Sequence, residues 1–173
     1  MTQPYTQALS FVATLEVLNT DAPGPVGTWE IQGTSSHGTT LWHGGSWLTS
    51  NGRTDRPAQR FWFGAVEFAD TGTLFEIRLW RSRGPENNVR VEISRNGYLG
   101  LYPLTPAIGP FFRLEQRGEQ VHIETVDGRP LRVGYDHSAW TTGRKGHYLN
   151  LEHGPVAEFA MQIIEGAVAE PEA

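Results

Sequence analysis

The sequence lacks cysteine, so neither disulfide bonds nor thiolate metal sites can form, and a cytoplasmic location is favoured. No run approaches the roughly 20 apolar residues of a membrane-spanning helix. The N-terminus has no basic region followed by an apolar run, which is the pattern of a secretory signal. The net charge of −5 disfavours general binding of nucleic acid. We therefore expect neither a nucleic acid nor a membrane as a partner.

The length of 173 residues suits one globular domain with a substantial core. We predict a single domain over residues 1–164. The remaining residues, 165–173, are small and acidic, and they predict a flexible tail. The 20 glycines and 11 prolines indicate a chain with many tight turns.

Alternation of apolar and polar residues with a period of two is the dominant pattern, and it predicts β-strands. The clearest case is Val89–Ile93, followed by Asn96-Gly97 and a second strand, since Asn-Gly favours a tight turn with positive φ. A second hairpin is predicted around Asp127-Gly128, between 121–124 and 131–133. The strand at 60–69 is apolar on both faces, so it should be covered on both sides.

About ten to twelve such strands at regular spacing predict an all-β domain of closed, barrel-like architecture. Three architectures remain open: a β-trefoil, which we favour, a calycin- or lipocalin-like barrel, and a jelly roll.

Two segments, RNGYLGL (95–101) and VHIETVDGRPLRV (121–133), resemble the hairpin repeats of β-trefoil proteins of the fascin-like and ricin-type lectin groups. The closing EFAMQII (158–164) is similar to the last strand of such a unit. The resemblance implies a β-trefoil that binds a ligand without catalysis. The Gln-x-Trp motif of ricin-type sugar sites is absent, so no lectin residue carries over. Separately, Gly27-Thr28-Trp29 is similar to the Gly-x-Trp opening of lipocalin-like barrels.

An aromatic cluster is the leading candidate for a ligand site. Paired indoles with nearby polar groups can stack on a sugar ring, and glycines let a ligand approach the backbone. The alternative is that both tryptophans of the strand lie in the core and that Gly44-Gly45 forms a bulge. The candidate ligand-binding residues are Trp42, His43 and Trp47 around Gly44-Gly45, Arg53 and Asp55 in the following polar loop, and Trp140 in a second loop.

Catalytic and metal motifs are missing from the sequence. No His-x-His pair and no Gly-x-Ser-x-Gly occurs, so we assign no catalytic residue, metal or cofactor. Glu67 and Glu76 are predicted to pair with Arg60 or Arg78 on an exposed face. The interleaved run of arginines and glutamates from 76 to 95 predicts a solvated surface of mixed charge.

Our hypothesis is a non-catalytic binding module that recognises a glycan or a protein partner through its loops. The alternative is a calycin-like barrel that binds or converts a small apolar molecule. Such a barrel should hold a cavity lined by Phe61, Trp62, Phe63 or Trp80. The oligomeric state is left open.

Overall fold

The computed structural model describes residues 4–50, 55–81, 89–137 and 143–171. The described chain is all-β, as predicted, with one 3₁₀ helix of three residues at Gln7–Leu9. No helix in these ranges has the length and hydrophobicity needed to cross a membrane. The strands are β1 (Phe11–Val17), β2 (Gly24–Pro25), β3 (Gly27–Thr34), β4 (Thr40–Thr49), β5 (Arg60–Phe68), β6 (Gly72–Leu79), β7 (Val89–Ile93), β8 (Leu99–Pro103), β9 (Phe112–Arg117), β10 (Gln120–Thr125), β11 (Arg132–His137), β12 (Lys145–Asn150) and β13 (Glu158–Gly166).

Six of the strands pair in a closed cycle. β1 pairs with β5, β5 with β6, β6 with β9, β9 with β10, β10 with β13, and β13 returns to β1. Every pairing is antiparallel. The short β2 adds to β1 outside this cycle.

Three hairpins complete the fold: β3–β4, β7–β8 and β11–β12. Each hairpin lies in the chain between two strands of the cycle, and the hairpins contact one another. Trp47 of β4 pairs with Gly100 of β8, and Tyr148 of β12 pairs with Thr49 of β4. The three hairpins therefore form one continuous layer, in which residues far apart in the sequence become neighbours.

The main core lies between the cycle of strands and the hairpin layer. It gathers the inward-facing residues of all six cycle strands and includes Phe61, Phe63, Phe112 and Phe159, all nearly inaccessible to solvent. The outer face of β5 is buried as well, because Trp62 packs into a second apolar cluster formed with both ends of the chain. The prediction that this strand is covered on both sides is confirmed.

The two predicted hairpins have different outcomes. β7 pairs with β8 through the Asn96-Gly97 turn, where Gly97 has φ +86°, so the first prediction is confirmed. The second is confirmed next to its turn, where Gly128 has φ +86°, Glu124 forms an antiparallel bridge with Pro130, and the N–H of Leu131 donates to Ile123 O at 3.0 Å. Beyond Leu131 the pairing differs from the prediction, because β10 pairs with β9 and β13 while the chain crosses into the hairpin layer as β11 and pairs with β12.

Glu76 is the centre of a buried ionic network, whereas we predicted an exposed pair. Its carboxylate accepts hydrogen bonds from Tyr5 Oη (2.7 Å), Arg78 Nε (2.7 Å), Arg90 Nη1 (3.3 Å) and the backbone N–H of Gly109 (2.8 Å). Glu76 is 0 % exposed and each arginine is 4 % exposed. The prediction of a solvated mixed-charge surface is therefore wrong for these residues. The network is stable because a buried carboxylate with several donors is compensated for its loss of water.

The C-terminal residues through Pro171 make specific contacts with the domain. β13 continues to Gly166, and the buried Val168 accepts a hydrogen bond from the Trp62 indole at 2.9 Å. Glu170 then accepts one from Arg78 Nη2 at 2.8 Å. These contacts join the end of the chain to the Glu76 network. The division into a domain and a flexible tail at residue 164 stays a prediction.

Replacing Glu76 with Gln should destabilise the fold by about 3 kcal/mol, because two buried guanidinium groups would lose their shared counter-charge. Chemical denaturation followed by circular dichroism measures the change in the free energy of unfolding. Glu67→Gln, on the exposed part of β5, is the matched control and should stay within about 0.5 kcal/mol of the parent. Equal effects of the two substitutions would contradict the assigned role of Glu76.

Candidate functional site

A cavity of about 290 Å³ opens where the three hairpins meet. It combines aromatic walls with polar and charged groups, the composition typical of small-molecule sites in proteins. Its lining residues lie on β4, in the turn segment 94–98 between β7 and β8, on β11 and on β12. The lining residues are Trp47, Ser94, Arg95, Asn96, Tyr98, Asp136, His137 and Tyr148. We call this the hairpin cavity.

The β7–β8 turn holds one wall of the hairpin cavity in place. The N–H of Gly97 donates to Ser94 O (2.9 Å), and the N–H of Tyr98 donates to the Ser94 hydroxyl (3.0 Å). The N–H of Leu151 donates to Gly97 O (2.9 Å) and ties the turn to the end of β12. Gly97 has φ +86°, a conformation that favours glycine, and the Glu152 side chain packs against it, 2.6 Å from where a Cβ would lie.

Trp47 forms the opposite aromatic wall. Its indole lies across Gly100 of the paired strand, where a Cβ would come within 2.9 Å of the ring. The ring also makes edge contacts with Tyr98 (6.3 Å between centroids) and Tyr102 (6.5 Å). Trp47 is only partly buried, so part of the indole is available to a ligand. Because residue 100 has no side chain, the partly buried indole of Trp47 can pack directly against the backbone of β8.

Asp136 is the carboxylate of the hairpin cavity, and donors hold both of its oxygens. The Tyr98 hydroxyl donates a short hydrogen bond to Oδ2, and the N–H of His137 donates to Oδ1 at 2.7 Å. The side chain is still 44 % exposed, which leaves lone pairs for a ligand. The bond from Tyr98 is the main reason that the pKa of Asp136 lies below its usual range.

Tyr98 links Asp136 to His153. Burial, and then the hydrogen bond to Asp136, raise the pKa of the Tyr98 phenol well above its usual value, so the phenol keeps its proton. His153 Nε2 lies 3.0 Å from the same phenol oxygen. Because the phenol gives its proton to Asp136, His153 must donate from Nε2. This chain of hydrogen bonds fixes which group donates and which group accepts at each contact.

Gly45 makes room for a side chain of this protein, whereas a Cβ at Gly44 would only touch its neighbour. A Cβ on Gly45 would overlap the carboxylate of Glu30, and the Trp29 ring lies 3.5 Å from the Cβ position of Gly44. Glu30 is 1 % exposed and accepts a hydrogen bond from the Tyr148 hydroxyl at 2.5 Å. These glycines were predicted to admit a ligand to the backbone, and both line a cavity beside the β3–β4 hairpin. The Gly45 position also leaves space for the Glu30 carboxylate, which supports Tyr148 of the hairpin cavity.

Of the predicted ligand-binding residues that the structure describes, Trp47 lines the hairpin cavity and the others do not. Trp47 lines the hairpin cavity, whereas Trp42 pairs with Ile31 of β3, and His43 pairs with Glu30. Trp42 and Trp47 are both partly exposed and belong to neither buried apolar cluster. Asp55 lies in an exposed turn outside the hairpin cavity, and Arg53 and Trp140 lie outside the described residues.

Most of the polar residues of the hairpin cavity were missed from the sequence. Asn96-Gly97 was recognised only as a turn. Asp136 and His153 were not predicted as site residues, because nothing in their local sequence pairs them with each other or with Tyr98. Their actual partner is Tyr98, which lies 38 residues from Asp136 and 55 residues from His153. The one available signal was the concentration of polar residues at hairpin turns and ends.

A second cavity, of about 240 Å³, lies on the other side of the β3–β4 hairpin. Trp29, Gln59 and Arg81 are among the residues that line it, and the Arg56 guanidinium lies 5.8 Å from the Trp29 ring centroid. Within the described ranges, no group of three or more His, Asp or Glu residues could hold a metal ion.

Comparison of the chain with protein-family models, with curated proteins and with solved structures gave no match. The chemistry of the hairpin cavity therefore follows from its own residues.

Replacing Asp136 with Asn should lower the pKa of Tyr98 towards the usual value of about 10, because a neutral acceptor stabilises the protonated phenol less than a carboxylate does. Ultraviolet titration of tyrosinate absorbance measures the change, and subtraction of the Tyr98→Phe curve in each background isolates Tyr98. Because the Tyr98 phenol stays partly buried, its pKa in the variant should remain above the usual value for tyrosine. An unchanged titration of Tyr98 would contradict the assigned hydrogen bond.

Proposed function

We propose that the domain is a β-trefoil. A β-trefoil contains three similar units, each made of two barrel strands that flank one hairpin. The order along this chain supports three such units: β1, β3–β4 and β5; then β6, β7–β8 and β9; then β10, β11–β12 and β13. The closed cycle of pairings supports it further. Close packing of Phe61 and Phe63 inside the cycle favours a filled interior over the hollow calycin-like alternative.

We propose that the domain is a non-catalytic module that binds a glycan in the hairpin cavity. The observation that carries the proposal is the pairing of the partly exposed Trp47 indole with the fixed carboxylate of Asp136 in one cavity. A sugar ring has an apolar face of C–H groups and an edge of hydroxyl groups. An indole accommodates the face, and a carboxylate accepts hydrogen bonds from the edge.

The rigidity of the polar groups favours binding. Asp136 is oriented by Tyr98 and by the backbone of His137 before any ligand arrives. A preorganised acceptor loses little conformational entropy when the ligand binds. Ser94 and Asn96, on the pinned turn, add side chains that can donate or accept hydrogen bonds at the opposite rim. A ligand with several hydroxyl groups matches this arrangement.

The protonation states in the hairpin cavity favour binding over hydrolysis. Glycosidases generally use two carboxyl groups, one of which has a raised pKa and donates a proton. Asp136 is the carboxylate among the lining residues, and its pKa is lowered. The other acidic group, the Tyr98 phenol, retains its proton because its pKa is raised. Neither group is suited to deliver a proton to a leaving group near neutral pH.

Replacing Trp47 with Ala should weaken glycan binding about tenfold or more, because the sugar would lose its stacking surface. An array of defined oligosaccharides, probed with the labelled full chain, identifies the ligand. Isothermal titration calorimetry with that oligosaccharide then measures the affinity. Circular dichroism checks that the variant retains its fold.

Trp42→Ala is the matched control, since Trp42 lies on the same strand but does not line the hairpin cavity. It should bind with nearly the parental affinity. Loss of binding in Trp42→Ala with retention in Trp47→Ala would move the site to the β3–β4 surface. A chain that binds no glycan on the array would overturn the proposed function.

A further inference from the structure

We propose that the glycan residue bound in the hairpin cavity carries a carboxylate group, as uronic and sialic acids do. This inference rests on the proposed function and specifies the ligand class for the same cavity. It follows from the distribution of charge among the lining residues. Among the residues that the structure describes, Arg95 has no carboxylate partner, whereas the negative charge of Asp136 already has two internal donors.

Arg95 combines exposure with a place in the cavity wall. It is exposed, it lines the cavity, and within the described ranges it forms no ion pair. Arg56, Arg60 and Arg132 also form no ion pair in those ranges, but they do not line the hairpin cavity. Five other arginines are held by carboxylates within 4 Å. Those paired arginines are Arg78, Arg90, Arg113, Arg117 and Arg129. The guanidinium of Arg95 therefore offers its donors to solvent or to a ligand.

Arg95 lies on a turn whose backbone is held by hydrogen bonds, so the position of its Cα is fixed relative to the cavity. The neighbouring Ser94 and Gly97 are joined by a backbone hydrogen bond of 2.9 Å, and Gly97 is bonded in turn to Leu151. The base of the Arg95 side chain is thus fixed relative to Trp47 and Asp136. A planar guanidinium can bind a carboxylate through two parallel hydrogen bonds, which adds geometric selectivity to charge attraction.

Asp136 and Arg95 should bind different groups of the ligand. Asp136 has donors on both oxygens and still accepts ligand hydroxyl groups, so it favours the hydroxyl edge of a sugar. It repels a carboxylate placed beside it, and the ligand carboxylate is therefore directed to Arg95. A neutral sugar would satisfy Asp136 but leave Arg95 unused. The hairpin cavity should accordingly prefer an acidic sugar to its neutral counterpart.

The test compares matched pairs of oligosaccharides by calorimetry with the full chain. One arm uses oligogalacturonate against oligogalactose, and a second uses sialyllactose against lactose, so that uronic and sialic acids are distinguished. We expect the acidic member of at least one pair to bind roughly tenfold more tightly, with a preference that declines as salt is raised. Arg95→Gln should remove the preference, because it should lower the affinity for the acidic member far more than the affinity for the neutral member.

Arg60→Gln is the matched control, because Arg60 is also exposed but does not line the hairpin cavity. It should keep the parental preference. Equal binding of acidic and neutral sugars, or a preference that survives in Arg95→Gln, would overturn this inference and leave glycan binding intact. Absence of binding to both members of both pairs and to the whole array would overturn the inference together with the proposed function.

Discussion

The burial of alternate residues from six strands in one shared apolar core is the constraint on which the rest of the structure depends. Phe61, Phe63, Phe112 and Phe159 can meet only if their strands pair in a closed cycle. The segments between β1 and β5, between β6 and β9 and between β10 and β13 each form one hairpin. Three hairpins converge on the same core, and the hairpin cavity forms where their edges meet. Core packing thus determines where a ligand site can arise.

Two fully buried carboxylates, Glu30 and Glu76, are tolerated because each is matched to fixed donors. Glu76 joins the N-terminal segment, through Tyr5, and the loop at Gly109 to the outer wall of the sheet. Glu30 similarly supports Tyr148 beneath the hairpin cavity, in space that Gly45 leaves open. Removal of one partner from such a group leaves an uncompensated charge, whereas an exposed ion pair contributes little. The hairpin cavity follows a different rule, since its polar groups are fixed but remain accessible.

The sequence allowed the all-β class, the β7–β8 hairpin and the doubly buried β5 to be predicted, because period-two alternation and an Asn-Gly turn are local signals. The hairpin at Asp127-Gly128 was predicted to continue to residue 133, but its pairing ends at Leu131, because the turn does not reveal that the chain then changes layers. The burial of Glu76 was missed for a related reason, since its covering residues come from distant segments. Of the candidate site, Trp47 was predicted. Tyr98, Asp136 and His153 could not be grouped, because only the convergence of the hairpins brings them together.

The central claim is that the hairpin cavity is where this domain meets its ligand. The most direct test is nuclear magnetic resonance of the isotope-labelled chain during titration with the oligosaccharide identified on the array. The account predicts that the largest shifts will fall on the Trp47 indole N–H and on the backbone of Ser94 through Tyr98 and of Asp136. Shifts centred on Trp29 and Gly44, in the second cavity, with the hairpin cavity unperturbed, would contradict it.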